Sequence, residues 1–201
     1  DDGVPDCGEV RSLLRPPNIH FPKPALLCLE NTHNLSGGVV LPPEQTAALA
    51  STVREVGLSV HLDGARLFNA AVALGIDVRA WTRHVDSVMI SLSKGLSAPV
   101  GSVLAGSRDF IERARKARKL LGGGMRQVGV IAAAGIVALE TMIARLAEDH
   151  AVARAIAREL AAIDGVEIDL STVQTNIIVF SIPETASKSG KGADDAATAA
   201  G

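Results

Sequence analysis

Between residues 25 and 105 short apolar runs alternate with helix-like stretches, and no other feature constrains the fold as tightly. Residues 25–29 form an apolar run that opens into the polar Glu30-Asn31-Thr32-His33-Asn34, the pattern of a buried strand followed by a loop. Pro42-Pro43-Glu44 then starts a helix, with Ala47, Leu49, Ala50, Val53 and Val56 at helical spacing and Gly57 at its end. Residues 58–62 read as a second strand stopped by Asp63, and residues 64–74 as a second helix closed by Gly75. Residues 87–92 read as a third strand stopped by Ser93-Lys94, and residues 100–105 as a fourth. Such alternation predicts an α/β fold, a mostly parallel sheet with flanking helices. Ligands in these folds bind at the carboxyl ends of the strands. Asp63 and Lys94 each directly follow a strand, and that placement makes them candidates.

The flanks read differently. Pro5, Pro16, Pro17, Pro22 and Pro24 leave room for a regular element before residue 25 only around residues 7–14. From Ser107 onward the pattern is helical, with Ser107 and Asp109 as cap residues and Gly122-Gly123-Gly124 as a break. Residues 128–146 are predicted to be a buried apolar helix and residues 150–163 an amphipathic one, with residues 166–168 and 176–182 as strands of a smaller unit. Residues 184–201 hold no anchor for a core and are predicted to be a polar tail or linker. At 201 residues and 47% hydrophobic, the chain has enough apolar surface for a core. A net charge of −2 and an aromatic content of 2% argue against nucleic acid, which is held by neutralised phosphates and stacked bases. No apolar run approaches the roughly 18 residues of a membrane helix. The start, Asp1-Asp2-Gly3-Val4-Pro5, lacks the basic and apolar parts of a signal peptide, so a cytoplasmic location is expected. Cys7 and Cys28 suffice for neither a metal cluster nor a disulfide scaffold, and Cys28, within Leu26-Leu27-Cys28-Leu29, is expected to be a buried thiol. His61, His84 and His150 read as structural, and no metal ligand set is expected.

Two constellations carry chemistry. In His61-Leu62-Asp63-Gly64-Ala65-Arg66, a lone Asp would most simply cap the helix that follows. Arg66 changes that balance, because a cation in a first helical turn opposes the helix dipole and needs an anionic partner, either Asp63 or a ligand. In Ser91-Leu92-Ser93-Lys94-Gly95-Leu96-Ser97-Ala98-Pro99-Val100-Gly101, a Lys stands between a buried strand and a tight turn. It either snorkels to the surface or is desolvated enough to act as a neutral amine nucleophile. One strand–helix–strand unit separates the two residues, so they fall on nearby strand ends.

The ordered set HLDGARLFNAA, SLSKGLSAPVGS and GGGMRQVGVIAAAGIVALE, with CLENTHN and ARLAEDH, closely resembles the low-specificity threonine aldolases. These belong to the aspartate-aminotransferase-like fold of pyridoxal-phosphate enzymes. The resemblance runs from about Val10 to Ile182. It implies that Lys94 is the Schiff-base lysine and that Asp63 pairs with the protonated pyridine nitrogen. It further places Arg66 beside the ring and its 3-hydroxyl, and Asn31, with Thr32, at the cofactor. His20, in PNIHF, matches a histidine near the substrate β-hydroxyl, although the residue alone reads as a surface loop histidine. Residues 108–126 carry seven basic side chains against Asp109 and Glu112, a solvated helix face by composition. There the resemblance puts Lys119 and Arg126 near the active site, meeting the cofactor phosphate or substrate carboxylate across a subunit boundary.

The implied reaction is retro-aldol cleavage of L-threonine or L-allo-threonine to glycine and acetaldehyde, with a homodimer or homotetramer as the expected assembly. Residues 1–150 would be the central part of the cofactor-binding large domain, and residues 151–183 the start of a small domain. The resemblance implies truncation at both ends, since the family carries an upstream phosphate-binding turn and a fuller small domain. Two alternatives stand beside it: a non-catalytic piece serving as a subunit interface, and another reaction of the same cofactor, such as β-elimination.

Overall fold

The computed structural model describes residues 3–16 and 18–183. The expected tail at residues 184–201 lies outside the described residues. The first helix, α1 (Cys7–Leu13), is started by Asp6, whose carboxylate accepts from the Gly8 and Glu9 amides while Glu9 returns a bond to the Asp6 amide. There follow β1 (Leu26–Glu30), α2 (Pro43–Arg54), β2 (Ser59–Asp63), α3 (Leu67–Leu74), α4 (Arg79–Thr82), β3 (Ser87–Ser91) and β4 (Ser102–Gly106). Three longer helices complete the chain, α5 (Arg108–Leu120), α6 (Gly129–Thr141) and α7 (Leu146–Ala161), before a single 3-10 turn at Leu170–Thr172.

The four strands form one sheet in the order β1-β2-β3-β4. The first three are parallel, because helices return the chain between them. Strand β4 is antiparallel to β3, since residues 92–101 are too few for a crossover. Cys28, His61 and Ser87 lie side by side in register, as do Glu30, Asp63 and Met89. Side chains alternate along a strand, so these residues share one face while Leu29, Val60 and Leu62 take the other. The second face holds the main core, packed by Leu49, Ala50 and Val53 of α2, Leu67 and Ala70 of α3, and Trp81 of α4. Trp81 is fully buried, and its Nε1–H donates to the Leu41 carbonyl at 2.7 Å.

Several expectations are corrected. Cys28 is exposed, because strand alternation turns it away from the core that buries Leu29. The apolar stretch at residues 128–146 is not one buried helix. It breaks after Thr141, and within α6 only Gly135 and Ala138 are buried, with Val130 at 80% exposure. Its apolar residues run all round the helix, and the described chain covers only one side. The strands expected at residues 166–168 and 176–182 reduce to an isolated bridge between Glu167 and Ser181. The segment between them is instead tied sideways: Gln174 Oε1 accepts from the Val40 amide and Thr175 Oγ1 donates to the Gly38 carbonyl. Among the described residues no single helix is long and apolar enough to cross a membrane.

Candidate active site

The carboxyl edge of the three parallel strands gathers the candidate residues. Asp63 ends β2, and its Oδ1 accepts from the Ala65 amide at 3.0 Å. This bond forms a tight turn over residues 64–66, which is why α3 starts at Leu67 rather than at Gly64. Gly64 passes close to β3, its amide donating to the Met89 carbonyl at 2.8 Å. A Cβ on Gly64 would stand 2.9 Å from that carbonyl oxygen, so only a glycine allows the approach. Asp63 lines a cavity of about 1150 Å³ together with Glu30 and His33 and with Asp6 and Glu9 from the start of the chain. His33 is held between Ser36 Oγ, 2.8 Å from its Nδ1, and Glu30, 3.8 Å from its Nε2.

Arg66 is the N-cap residue of α3, the cationic position at a helix start expected from its spacing. Its amide donates to the Asn31 carbonyl at 3.4 Å, and the Asn31 amide donates to the Asp63 carbonyl at 2.8 Å. Among the described residues its guanidinium has no ion-pair partner. Asn31, expected at the cofactor, has its side chain engaged within the loop that follows β1. It is fully buried, with Nδ2 donating to the Leu41 carbonyl at 3.0 Å and Oδ1 accepting from the Leu41 amide at 3.1 Å. Its amide closes the loop after β1. Thr32 beside it is 1% exposed and its hydroxyl is buried without a partner among the described residues.

Lys94 lies three residues past β3, at the same edge as Asp63, and it is exposed rather than desolvated. No hydrogen bond or ion pair joins the two among the described residues. The turn that carries Lys94 is anchored by its neighbours. The Ser97 amide donates to the Lys94 carbonyl at 2.9 Å and the Ala98 amide to the Leu92 carbonyl at 2.9 Å. Leu92, Leu96 and Ala98 are buried in a second apolar cluster with Ala138 of α6 and Leu146 of α7.

Neither His20 nor Lys119 nor Arg126 lines the Asp63 cavity. His20 is exposed in the loop before β1 and does not line the Asp63 cavity. Lys119 is exposed on α5, its stem lying over Gly124. Arg126 is exposed in the turn before α6. Sequence reasoning missed the buried pair formed by Asn69 of α3 and His150 of α7, where Asn69 Nδ2 donates to His150 Nε2 at 3.1 Å. Their separation of 81 positions hides the contact from any local pattern.

The beta-eliminating lyase family profile matches residues 1–183. The chain is 51% identical over 149 residues to the low specificity L-threonine aldolase of Escherichia coli K12, covering 74% of this chain and 44% of that protein. It is 43% identical over 186 residues to low-specificity L-threonine aldolase 1 of Arabidopsis thaliana, covering 92% and 52% respectively. Among solved structures, a candidate L-allo-threonine aldolase of Listeria monocytogenes superposes with a TM-score of 0.73 at 25% identity, covering 84% of this chain and 45% of that one. The chain thus spans about half the length of the relatives it matches.

Proposed function

The chain belongs to the beta-eliminating lyase family, and from this membership we propose that it carries cofactor-binding machinery of a pyridoxal-phosphate-dependent threonine aldolase. The reaction is cleavage of the Cα–Cβ bond of L-threonine or L-allo-threonine to glycine and acetaldehyde. One observation carries the reading: a carboxylate and an amine, Asp63 and Lys94, follow adjacent parallel strands and share one sheet edge.

The residues suit the cofactor at its ring end. Asp63 lines an open cavity and supplies the anion a protonated pyridine nitrogen needs. Thr32, with a buried hydroxyl lacking a partner, offers one further polar contact. The cavity walls otherwise carry Asp6, Glu9 and Glu30, which repel a phosphate. The phosphate therefore calls on cations from elsewhere, and Lys119 and Arg126 are assigned to it or to the substrate carboxylate, reaching the edge from a second copy of the chain.

When bound, the cofactor supplies the electron sink for the pair left on the substrate α-carbon. Lys94 would be the residue that holds the cofactor, through its Nζ. Asp63 keeps a proton on the ring nitrogen. Arg66, at the start of α3, would help to orient the ring. His20 takes the β-hydroxyl proton, directly or through water, as the Cα–Cβ bond breaks. The assembly is a homo-oligomer and its location cytoplasmic.

Borohydride reduction of the protein with pyridoxal phosphate, followed by peptide mass analysis, tests the reading. A cofactor adduct on Lys94 is expected, and it should be absent in Lys94→Ala. Acetaldehyde released from threonine identifies the aldolase, whereas pyruvate and ammonia from serine would indicate β-elimination instead.

A further inference from the structure

The turn bearing Lys94 rests on a buried polar cluster that none of the assigned roles uses. A Cβ built on Gly95 would stand 2.6 Å from Leu146 Cδ2, 3.6 Å from Asn69 Oδ1 and 3.8 Å from Asn176 Nδ2. Leu146 is 1% exposed, and its proximity seats the Lys94-Gly95 backbone directly on the first turn of α7. Asn69 is 3% exposed and His150 is 2% exposed, and the bond between them ties α3 to α7 beneath the turn. Asn176 comes from the third side, with a buried Oδ1 that has no partner among the described residues. Its neighbours Gln174 and Thr175 are fixed to the loop after β1. Asn69 lies one helical turn beyond Arg66, whose amide is bound to the Asn31 carbonyl at the Asp63 side of the edge. One short helix therefore touches both functional strand ends.

We propose that the buried Asn69–His150 pair, with Asn176 at its border, forms a polar clamp that positions Lys94 relative to Asp63, acting on the reaction through the Gly95 backbone. The proposal rests on the assignment of Lys94 as the cofactor lysine. Buried polar groups that satisfy one another fix a single arrangement, because any other arrangement leaves one of them desolvated and unpaired. A leucine in place of His150 would fill the space but release Asn69. A glutamine would return an acceptor to the position of Nε2. None of the three residues touches substrate or cofactor in this scheme; they are positioning residues.

Two measurements on the protein and its variants His150→Leu, His150→Gln, Asn69→Ala and Asn176→Ala test the clamp. The first is the rate at which pyridoxal phosphate is captured on Lys94, with the pH midpoint of the resulting visible band. The second is hydrogen exchange at the Ser97 and Ala98 amides that close the turn, read without cofactor. His150→Leu and Asn69→Ala are expected to slow capture about three- to tenfold, the worth of one buried hydrogen bond. They should also displace the pH midpoint and speed exchange at both amides, with His150→Gln restoring the parent values. If His150→Leu does not fold, Asn176→Ala at the border of the cluster carries the same comparison. Parent-like capture, midpoint and exchange in the variants would overturn the clamp. So would loss of stability alone, with the midpoint unmoved and no rescue by glutamine. Failure of the parent to capture the cofactor on Lys94 defeats the assignment of that lysine instead, while the exchange result still decides whether the clamp holds the turn.

Discussion

At the scale of single residues, Asp63 at an open cavity and His150 in the interior call for different tests. Asp63 lines an open cavity, where its carboxylate is proposed to face the ring nitrogen. Asp63→Asn should leave the adduct on Lys94 detectable while threonine cleavage falls about 10²–10³-fold, the range for losing one preorganised electrostatic partner. Steady-state rates beside borohydride labelling give that comparison. His150 is buried among α3 and α7, and desolvation first, then the Arg154 cation, hold its pKa below the ordinary 6.5, with Asp149 opposing. A depressed histidine is neutral in the native state at pH values where the unfolded chain already binds a proton. Its contribution is therefore whole above about pH 6.5 and is lost as pH falls through the lower native value. Urea unfolding at a series of pH values should show stability dropping below that point, and His150→Gln should flatten the drop. Asp63 and Lys94 were legible in the sequence because a strand end is a local pattern. Asn69 and His150 were not, because their contact joins residues 81 positions apart. The bonds of the Asn31 side chain were hidden for a related reason, since its partner Leu41 lies across a loop whose closure no spacing rule foretells.

At the scale of elements, the turn from β2 to α3 bears the heaviest constraint. Three strands and two helices of the α/β core were readable because their apolar periods are strong, and their ends shift by only a few residues. The largest shift has a cause: the Asp63 carboxylate binds the Ala65 amide and holds residues 64–66 out of the helix. Gly64 has an ordinary backbone conformation and is needed for space alone. Gly64→Ala would press a methyl to 2.9 Å of the Met89 carbonyl oxygen, 3.1 Å of Leu67 Cβ and 3.2 Å of Val88 Cγ2. Neither a strand carbonyl nor a buried Leu67 can withdraw far. We expect a loss of about 1–3 kcal/mol, as for other overpacked sites, measurable as a lower urea midpoint at unchanged slope. The elements that were misread lie after residue 121. There the apolar pattern marks surface that the described chain leaves uncovered, and periodicity cannot distinguish a core from an interface.

At the scale of the whole molecule, that uncovered surface and the two displaced cations belong to one problem. Leu120 is 78% exposed, Leu121 86%, Met125 54% and Val130 80%, an apolar run of a kind that marks protein contact sites. Lys119 and Arg126 lie within the same run, exposed and outside the lining of the Asp63 cavity. A second copy packed on this face would cover the leucines and carry both cations towards the other copy's sheet edge. In a two-fold assembly the exchange would be reciprocal, so each site would take Lys94 from one chain and Arg126 from its neighbour. The arrangement has a consequence that no arrangement within one chain shares. Lys94→Ala and Arg126→Ala should each be inactive alone in threonine cleavage. Mixed and allowed to exchange subunits, they should form hybrids in which one site receives both intact residues and the other neither. For a randomly reassorted dimer about a quarter of the parent activity is expected to return. Activity that stays at the level of the separate variants, despite hybrids seen by native mass spectrometry, would place Arg126 in the same chain's site or in none. Leu121→Glu with Val130→Glu should meanwhile convert the assembly to monomers by light scattering, because two buried carboxylates without partners cost more than the contact returns.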